Sequence, residues 1–498
     1  MKKRVVLGVI ALSMHLNAWA ANDLIQAFRD GVSSDPTYQQ AIAQRLSTRE
    51  GVPISLAGLL PFISASLIQP SATRTLTSGA VQGNTLYTQN GYNVALNLSQ
   101  TVFDFGKFAG LSSASALAKG ADATLSAATQ DLMLRVATAY FTILKDQDNL
   151  VYIKSTRAAY YKQLDQVTQQ YRVGLKTVTE VYTAKASYET SIANYIAAEA
   201  TLATDKENLR AMTGVMYPSL LRLSDSFPLV TPEPADIDAW VTTAGQQNWL
   251  IKAAQFSAKS SRDIIKQQFA GHLPTMNLQG SYVDNYYRSS GDPFLFSRGS
   301  SQTHTSSASI NFNIPLVAGG LVVAQTAQAK YNYEVALQQL EFQLRSTLTL
   351  TRQSYLNVVA GISKIAADKL SIKSNISSLR GMEAGYRVGT EILVNVLNQQ
   401  QNVVQAQQQY ASDRYAYVIN LLTLKQAAGT LSEQDLFAVN MWLSEHTGIY
   451  GENTGDISDV NYENETVLKT NMNDVHSKAK NAAIKKLKTA AIKVKKIK

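Results

Sequence analysis

The chain has 498 residues and no cysteine, which excludes disulfides, thiolate metal sites, cysteine nucleophiles and a lipid-modified N-terminal cysteine. Its net charge of +9 comes from its ends: residues 478–498 hold nine lysines and no acid, and Lys2-Lys3-Arg4 adds three charges, so the body between is close to neutral. A basic tail on a near-neutral body excludes a nucleic-acid-binding domain, so no nucleic-acid partner is expected.

Residues 1–20 read as a secretory signal. Lys2-Lys3-Arg4 is a basic n-region, Val5 to Leu16 a short apolar core, and Ala18-Trp19-Ala20 a small-x-small cleavage site. The mature chain then starts near Ala21 or Asn22. No later run reaches about 18 apolar residues, so no transmembrane helix is expected. An exported chain of this kind is soluble or crosses a membrane as β-strands.

The first half then reads as a helix over 23–57, strands over 62–74 and 86–101, a helix over 106–172, a turn at 173–176 and a helix over 177–212. Proline placement frames these elements. All eleven prolines fall within 36–70, 218–234 and 274–315, so 71–217 and 316–498 lack the residue that breaks helix interiors. Between Gly120 and Gly174 there is neither glycine nor proline, enough for about 80 Å of helix. Asn93-Val94-Ala95-Leu96-Asn97-Leu98-Ser99 puts its larger apolar residues at even positions, and 276–282 and 309–314 also alternate. Period two means a strand with one apolar and one polar face. In a sandwich the apolar face meets another sheet, and in a membrane barrel it meets lipid; the export signal favours the barrel. Later, Tyr355, Val358, Ile362, Ile365, Lys369, Ile372, Ile376 and Leu379 form a heptad seam, so the helices should pack side by side.

These elements recur. Leu60-Pro61 returns as Leu273-Pro274, the strand end near Gly106 returns near Gly320, and Tyr171-Arg172-Val173-Gly174 returns as Tyr386-Arg387-Val388-Gly389. Leu209 with Gly214 returns as Leu424 with Gly429, and all four offsets lie between 213 and 215 residues. The chain is therefore a tandem repeat, with units at 21–227 and 235–447, a proline-rich linker at 228–234, and a polar, then Lys-rich, tail at 448–498 expected to be disordered. Asp104 with Phe105-Gly106, and Ala318-Gly319-Gly320, read as matching strand-to-helix joints. Two strands per half give four per chain. Four strands cannot close a barrel, and open edges are not tolerated in lipid, so two, three or four copies with 8, 12 or 16 strands are required.

Ala137-Thr138-Ala139-Tyr140-Phe141, Gln163-Leu164-Asp165-Gln166, Gly271-His272-Leu273-Pro274, Met382-Glu383-Ala384-Gly385-Tyr386 and 429–436 (Gly-Thr-Leu-Ser-Glu-Gln-Asp-Leu) resemble the outer membrane efflux protein family, that of the TolC channels. The resemblance covers nearly all of 22–445. It implies a mainly α fold with β: a trimeric 12-stranded outer-membrane β-barrel, four strands per chain, continued by a long periplasmic α-helical barrel. A mixed α/β equatorial belt would come from around 215–240 and 430–447. It implies a passive exit duct for efflux pumps or type I secretion, in the outer membrane of a Gram-negative bacterium. No catalytic residue, metal site or cofactor is implied. The implied partners are two further copies, outer-membrane lipid, a periplasmic adaptor (membrane fusion) protein, and an inner-membrane RND or ABC transporter.

The same resemblance implies a gate at the periplasmic tip, opened by an iris-like motion. Gln163 would meet Glu383, and Glu180, beside Thr179, would meet Tyr386. Val173, Gly174, Leu175, Val388, Gly389 and Thr390 would form the adaptor-docking tips. Three positions depart from the pattern. Glu391 stands where some members have arginine, leaving Arg172, Arg387 or Lys176 as candidate replacements. Asn395 and Asn398 stand where those members place aspartate rings at the pore constriction. The alternative class is a secreted coiled-coil structural or adhesin protein, which would not need amphipathic strands at duplicated positions.

Overall fold

The computed structural model describes residues 23–76, 85–224, 227–290 and 299–444. The expected signal at 1–20 and the tail at 448–498 lie outside the described residues.

The expected helix over 23–57 is two helices, α1 (Leu24–Ser34) and α2 (Pro36–Ala57). Asp35 makes the break. Its carboxylate accepts from the Tyr38 N–H at 3.2 Å and caps α2, while Pro36 supplies a fixed φ at the first helical position. The second repeat breaks at the matching residue, Asn248, between α5 (Ile237–Gln247) and α6 (Trp249–Phe269). Asn248 caps α6 through the Leu250 and Ile251 N–H groups at 2.9 and 3.1 Å.

One helix of 68 residues runs through each repeat, α3 (Phe105–Arg172) in the first and α7 (Leu321–Val388) in the second, each about 100 Å long. Asp104 caps α3 and Gly320, at φ 83°, opens α7, so both expected joints hold. Each long helix turns back into one of 36 residues, α4 (Val178–Thr213) or α8 (Leu393–Ala428). The returning helix ends on a left-handed glycine, Gly214 or Gly429, that abuts the break of its own repeat. A Cβ at Gly214 would lie 2.6 Å from Ser34 Oγ, and one at Gly429 would lie 2.6 Å from the Gln247 carbonyl. Two broken columns result, α2 with α4 and α6 with α8. They alternate with the unbroken α3 and α7, giving four helical columns per chain.

Of the expected seam on α7, Tyr355, Ile362 and Ile376 are half-buried, and the one exposed member is Lys369, whose neighbour Asp368 is half-buried instead. Val358, Ile365, Ile372 and Leu379 are inside as expected. Thr351, Ser354 and Gly361 are buried beside the seam. Small residues are inside where a neighbour comes close: a Cβ on Gly361 would lie 3.5 Å from the Tyr417 ring of α8.

The four long strands form one antiparallel sheet. β1 (Phe62–Ile68) and β2 (Ser71–Leu76) form one stave, broken at Gln69-Pro70, since both pair with β3 (Thr85–Phe103). β3 pairs with β5 (Thr275–Ser290), and β5 with β6 (Gly299–Asn313). The register puts Ile63, Leu67, Val94, Leu96, Leu98, Leu278, Ile310 and Phe312 on one face. Asn93, Asn97, Asn277, Gln279, Ser307 and Asn311 share the other. Leu67 and Ile310 are 74% and 67% exposed, so the apolar face has no protein cover.

Around the middle of the columns a belt forms, as expected. β4 (Arg222–Leu223) pairs with β7 (Leu443–Ser444), beside α9 (Glu433–Asn440). Arg414 of α8 is fully buried there. It donates to the Leu223 and Ser224 carbonyls at 3.2 and 3.0 Å and lies over the Phe227 and Tyr410 rings.

Candidate functional site at the hairpin tips

The α3–α4 and α7–α8 turns sit together. Gly174 (φ 81°) and Gly389 (φ 85°) take the left-handed conformation that ends a helix, as the repeat suggested. The Leu175 N–H returns to the Gln170 carbonyl, and the Thr390 N–H to the Gly385 carbonyl, both at 2.9 Å. A Cβ at Gly385 would lie 2.8 Å from Glu391 Cγ, so any larger residue there would displace the Glu391 side chain. The flanking apolar residues point outward. Val173, Leu175 and Val388 are 71%, 73% and 77% exposed. Thr390 is exposed too.

Behind the turns, Val167, Ala184, Tyr386, Leu393, Val396 and Leu397 form one apolar cluster that joins the two hairpins. Higher up, polar contacts continue the joint. Tyr160 Oη donates to the Leu397 carbonyl at 3.3 Å, Gln408 Nε2 to Asn149 Oδ1 at 2.5 Å, and Tyr415 Oη to Asp148 at 2.7 Å. Their partners lie 237–267 residues apart, so no sequence pattern announces them. A groove of about 650 Å³ runs between α3, α4 and α8, lined by uncharged groups such as Ser187, Ser191, Asn194 and Gln405.

The expected Glu180–Tyr386 link is made through a third residue. Lys176 Nζ lies 3.2 Å from Glu180 Oε1 and 4.1 Å from the Tyr386 ring centroid. Of the three candidate cations, Lys176 is the one that lies beside both Glu180 and Tyr386. Thr177 and Glu180 hold the pair steady by capping α4 reciprocally, Glu180 N–H to Thr177 Oγ1 and Thr177 N–H to Glu180 Oε2. Burial works to raise Glu180, but the Thr177 N–H and Lys176 outweigh it and hold the carboxyl below its ordinary range. Burial works to lower Lys176, and Glu180 with Tyr386 outweighs it, so the ammonium stays above its ordinary value. Burial raises Tyr386, with Lys176 opposing.

Other expected groups stand apart within the chain. Glu383 is exposed, while Gln163 Nε2 is buried without a hydrogen-bond partner, so this pair is not joined. Thr179 is exposed and only its carbonyl is engaged, by Thr183 Oγ1 at 2.9 Å. Asn395 and Asn398, three residues apart on α8, share its exposed side, opposite Leu393, Val396 and Leu397. Asn395 Nδ2 donates to Glu391 Oε2 at 2.8 Å, so Glu391 is engaged by Asn395.

The profile of the outer membrane efflux protein family matches this chain twice, at residues 31–215 and 240–430. The chain belongs to the outer membrane efflux protein family. Its two matches coincide with the two structural repeats. It is 35% identical over 459 residues to the outer membrane protein TolC of Escherichia coli, covering 91% of this chain and 92% of that one. It is 25% identical to the proteases secretion protein PrtF of Dickeya chrysanthemi, covering 89% and 96%. The fold also matches the outer membrane protein VceC of Vibrio cholerae, with a TM-score of 0.67 at 19% identity, over 82% of this chain and 96% of that one. Membership makes this chain an outer-membrane duct of the efflux and secretion type, a passive channel and not an enzyme. The apolar sheet face is then the lipid face, and the asparagine- and serine-rich face lines water. An adhesin has no use for that lipid face.

Proposed function

We propose that three copies of this chain close a twelve-stranded barrel and continue it as a twelve-column helical duct into the periplasm. The carrying observation is the pair of open sheet edges, the β1–β2 stave on one side and β6 on the other. Lipid cannot satisfy their backbone groups, so the edge of a neighbouring copy must. The outermost helical columns support the same assembly. Exposed Tyr331, Val335 and Phe342 lie along α7, and exposed Leu46 and Ile54 along α2. Four staves and four columns per copy stay in step at any copy number, and the family's trimer sets it at three.

The tips are the periplasmic end, where a periplasmic adaptor protein docks and an inner-membrane transporter of RND or ABC type delivers cargo. Bare glycine turns flanked by exposed Val173, Leu175 and Val388 suit the close approach of a partner helix hairpin. The Lys176 link and the cluster around Tyr386 hold the second hairpin against the first, and separating them is the opening step. Asn395 and Asn398 line the narrowest point.

Single-channel recording in planar bilayers tests the duct. The purified oligomer, three times the mass of one chain, should open discrete conductances. A trimer that never conducts under any applied potential would overturn the reading.

A further inference from the structure

Each helical hairpin carries two aspartates facing one another across its seam. In the first repeat Asp146 of α3 meets Asp205 of α4, and in the second Asp368 of α7 meets Asp413 of α8, each within hydrogen-bond reach if one carboxyl is protonated. Asp146 is 5% exposed, and Asp146 Oδ2 and Asp368 Oδ2 are buried with no hydrogen-bond donor. The placement repeats. Asp146 lies 28 residues before Gly174 and Asp368 21 before Gly389, while Asp205 and Asp413 lie 31 and 24 after, so the pairs are one heptad apart on equivalent seams.

Few other charges act there. Lys145 Nζ is 3.5 Å from Asp146 Oδ1, and Lys364 acts on Asp368 from the same helix. On the other flank of α3, Asp148 is engaged by Tyr415 of α8. Beside the second pair, Lys369 lies 5.9 Å from the Tyr410 ring and Gln409 bonds Asp413 at 2.9 Å. One lysine per pair cannot neutralise two carboxylates that burial brings together.

We propose that each pair is a proton-operated clasp: one shared proton closes the hairpin seam, and its loss drives the two helices apart. Both seams then tighten in mild acid and relax toward neutrality, stiffening or loosening the duct wall well below the sheet. Burial first, and then the partner aspartate, push both Asp146 and Asp368 up to about 6. With the folded value raised above the ordinary 3.8, the stabilisation is full below that value and is lost as pH rises through about 6. The clasp stands on the hairpins alone and does not depend on adaptor docking.

Hydrogen–deuterium exchange on the full-length oligomer in detergent tests it, with protection factors compared at pH 5 and 7.5. Residues 142–150, 202–209, 364–372 and 410–417 should lose more than tenfold protection at the higher pH, while 251–269 of α6 stays level. Asp146→Asn should abolish the response in α3–α4 only, and Asp368→Asn in α7–α8 only. Should either variant fail to assemble, Asp205→Asn and Asp413→Asn, on the partner side, serve the same comparison. Equal protection at both pH values in the wild type, or a pH response that survives the asparagines, would overturn the clasp.

Discussion

Lys176 places its ammonium 4.1 Å from the centre of the Tyr386 ring while pairing with Glu180 at 3.2 Å, so one lysine ties the turn of the first hairpin to the long helix of the second. A cation over an aromatic face at a part-exposed site contributes about 0.5–1 kcal/mol, and a helix-surface ion pair less. Lys176→Met should therefore raise open probability in planar bilayers about two- to five-fold. Glu180→Gln should do less, because Tyr386 still holds the lysine.

The same link sets a pH window. Glu180 sits below its ordinary value of 4.5, so its share is present above that value and fades as pH falls through its lowered one. Lys176 sits above 10.5, so its share is present below that value and fades only at higher pH. Open probability should rise below about pH 4.5 in the wild type and stay flat there in Glu180→Gln.

Two glycines with the same backbone conformation should respond differently to alanine. Gly389 has open space around it, so Gly389→Ala carries only left-handed strain, about 1 kcal/mol. At Gly429 the added Cβ would also collide with the Gln247 carbonyl and the Asn248 Cα, at 2.6 and 2.7 Å. Gly429→Ala should lower the thermal midpoint several times further, or prevent assembly.

Replacing Asn395 and Asn398 by aspartate adds two charges per copy at the proposed narrowest point. The double variant should turn the reversal potential in a KCl gradient toward cation selectivity, with Glu391 adding to the field. An unchanged reversal potential would show that these residues do not line the constriction.

Arg414 holds the belt from inside. Arg414→Met keeps the stem but removes the bonds to the Leu223 and Ser224 carbonyls, which then stay buried without that donor. A cost of about 2–4 kcal/mol is expected. Limited proteolysis should then cut within 227–234 faster than in the wild type. Tyr417→Phe, which loses the hydroxyl that engages the Val230 N–H and carbonyl at 2.8 Å, should cost about 1–2 kcal/mol by the same assay.

Much of this architecture was legible one residue at a time. Proline placement marked the long helices, alternation at 93–99 marked the strand face, and the offsets of 213–215 paired each joint with its copy. The break at Asp35 was not legible, because an aspartate before proline fits either a helix interior flaw or a new cap. Only the abutting Gly214 shows that another helix ends there. At the tip, the glycine turns were legible from the repeated motif, while the exposure of Val173, Leu175 and Val388 came only from the fold. The cation was left among three candidates, since Arg172, Lys176 and Arg387 all lie within a few residues of the turns. The Gln163–Glu383 pair, expected from resemblance, is not joined within the chain.

The sequence by itself determined the elements, their duplication and the two faces of the sheet, because these follow from local periodicity, backbone freedom at glycine and proline, and the choice between lipid and water. Tertiary structure alone decided which charges meet. Lys176 reaches Tyr386 across 210 residues, and Asp146 faces Asp205 across 59. Such pairings depend on the rotation and register of packed helices. A one-residue shift of the seam, as from Lys369 to Asp368 on α7, moves a side chain about 100° around the helix and changes its partner.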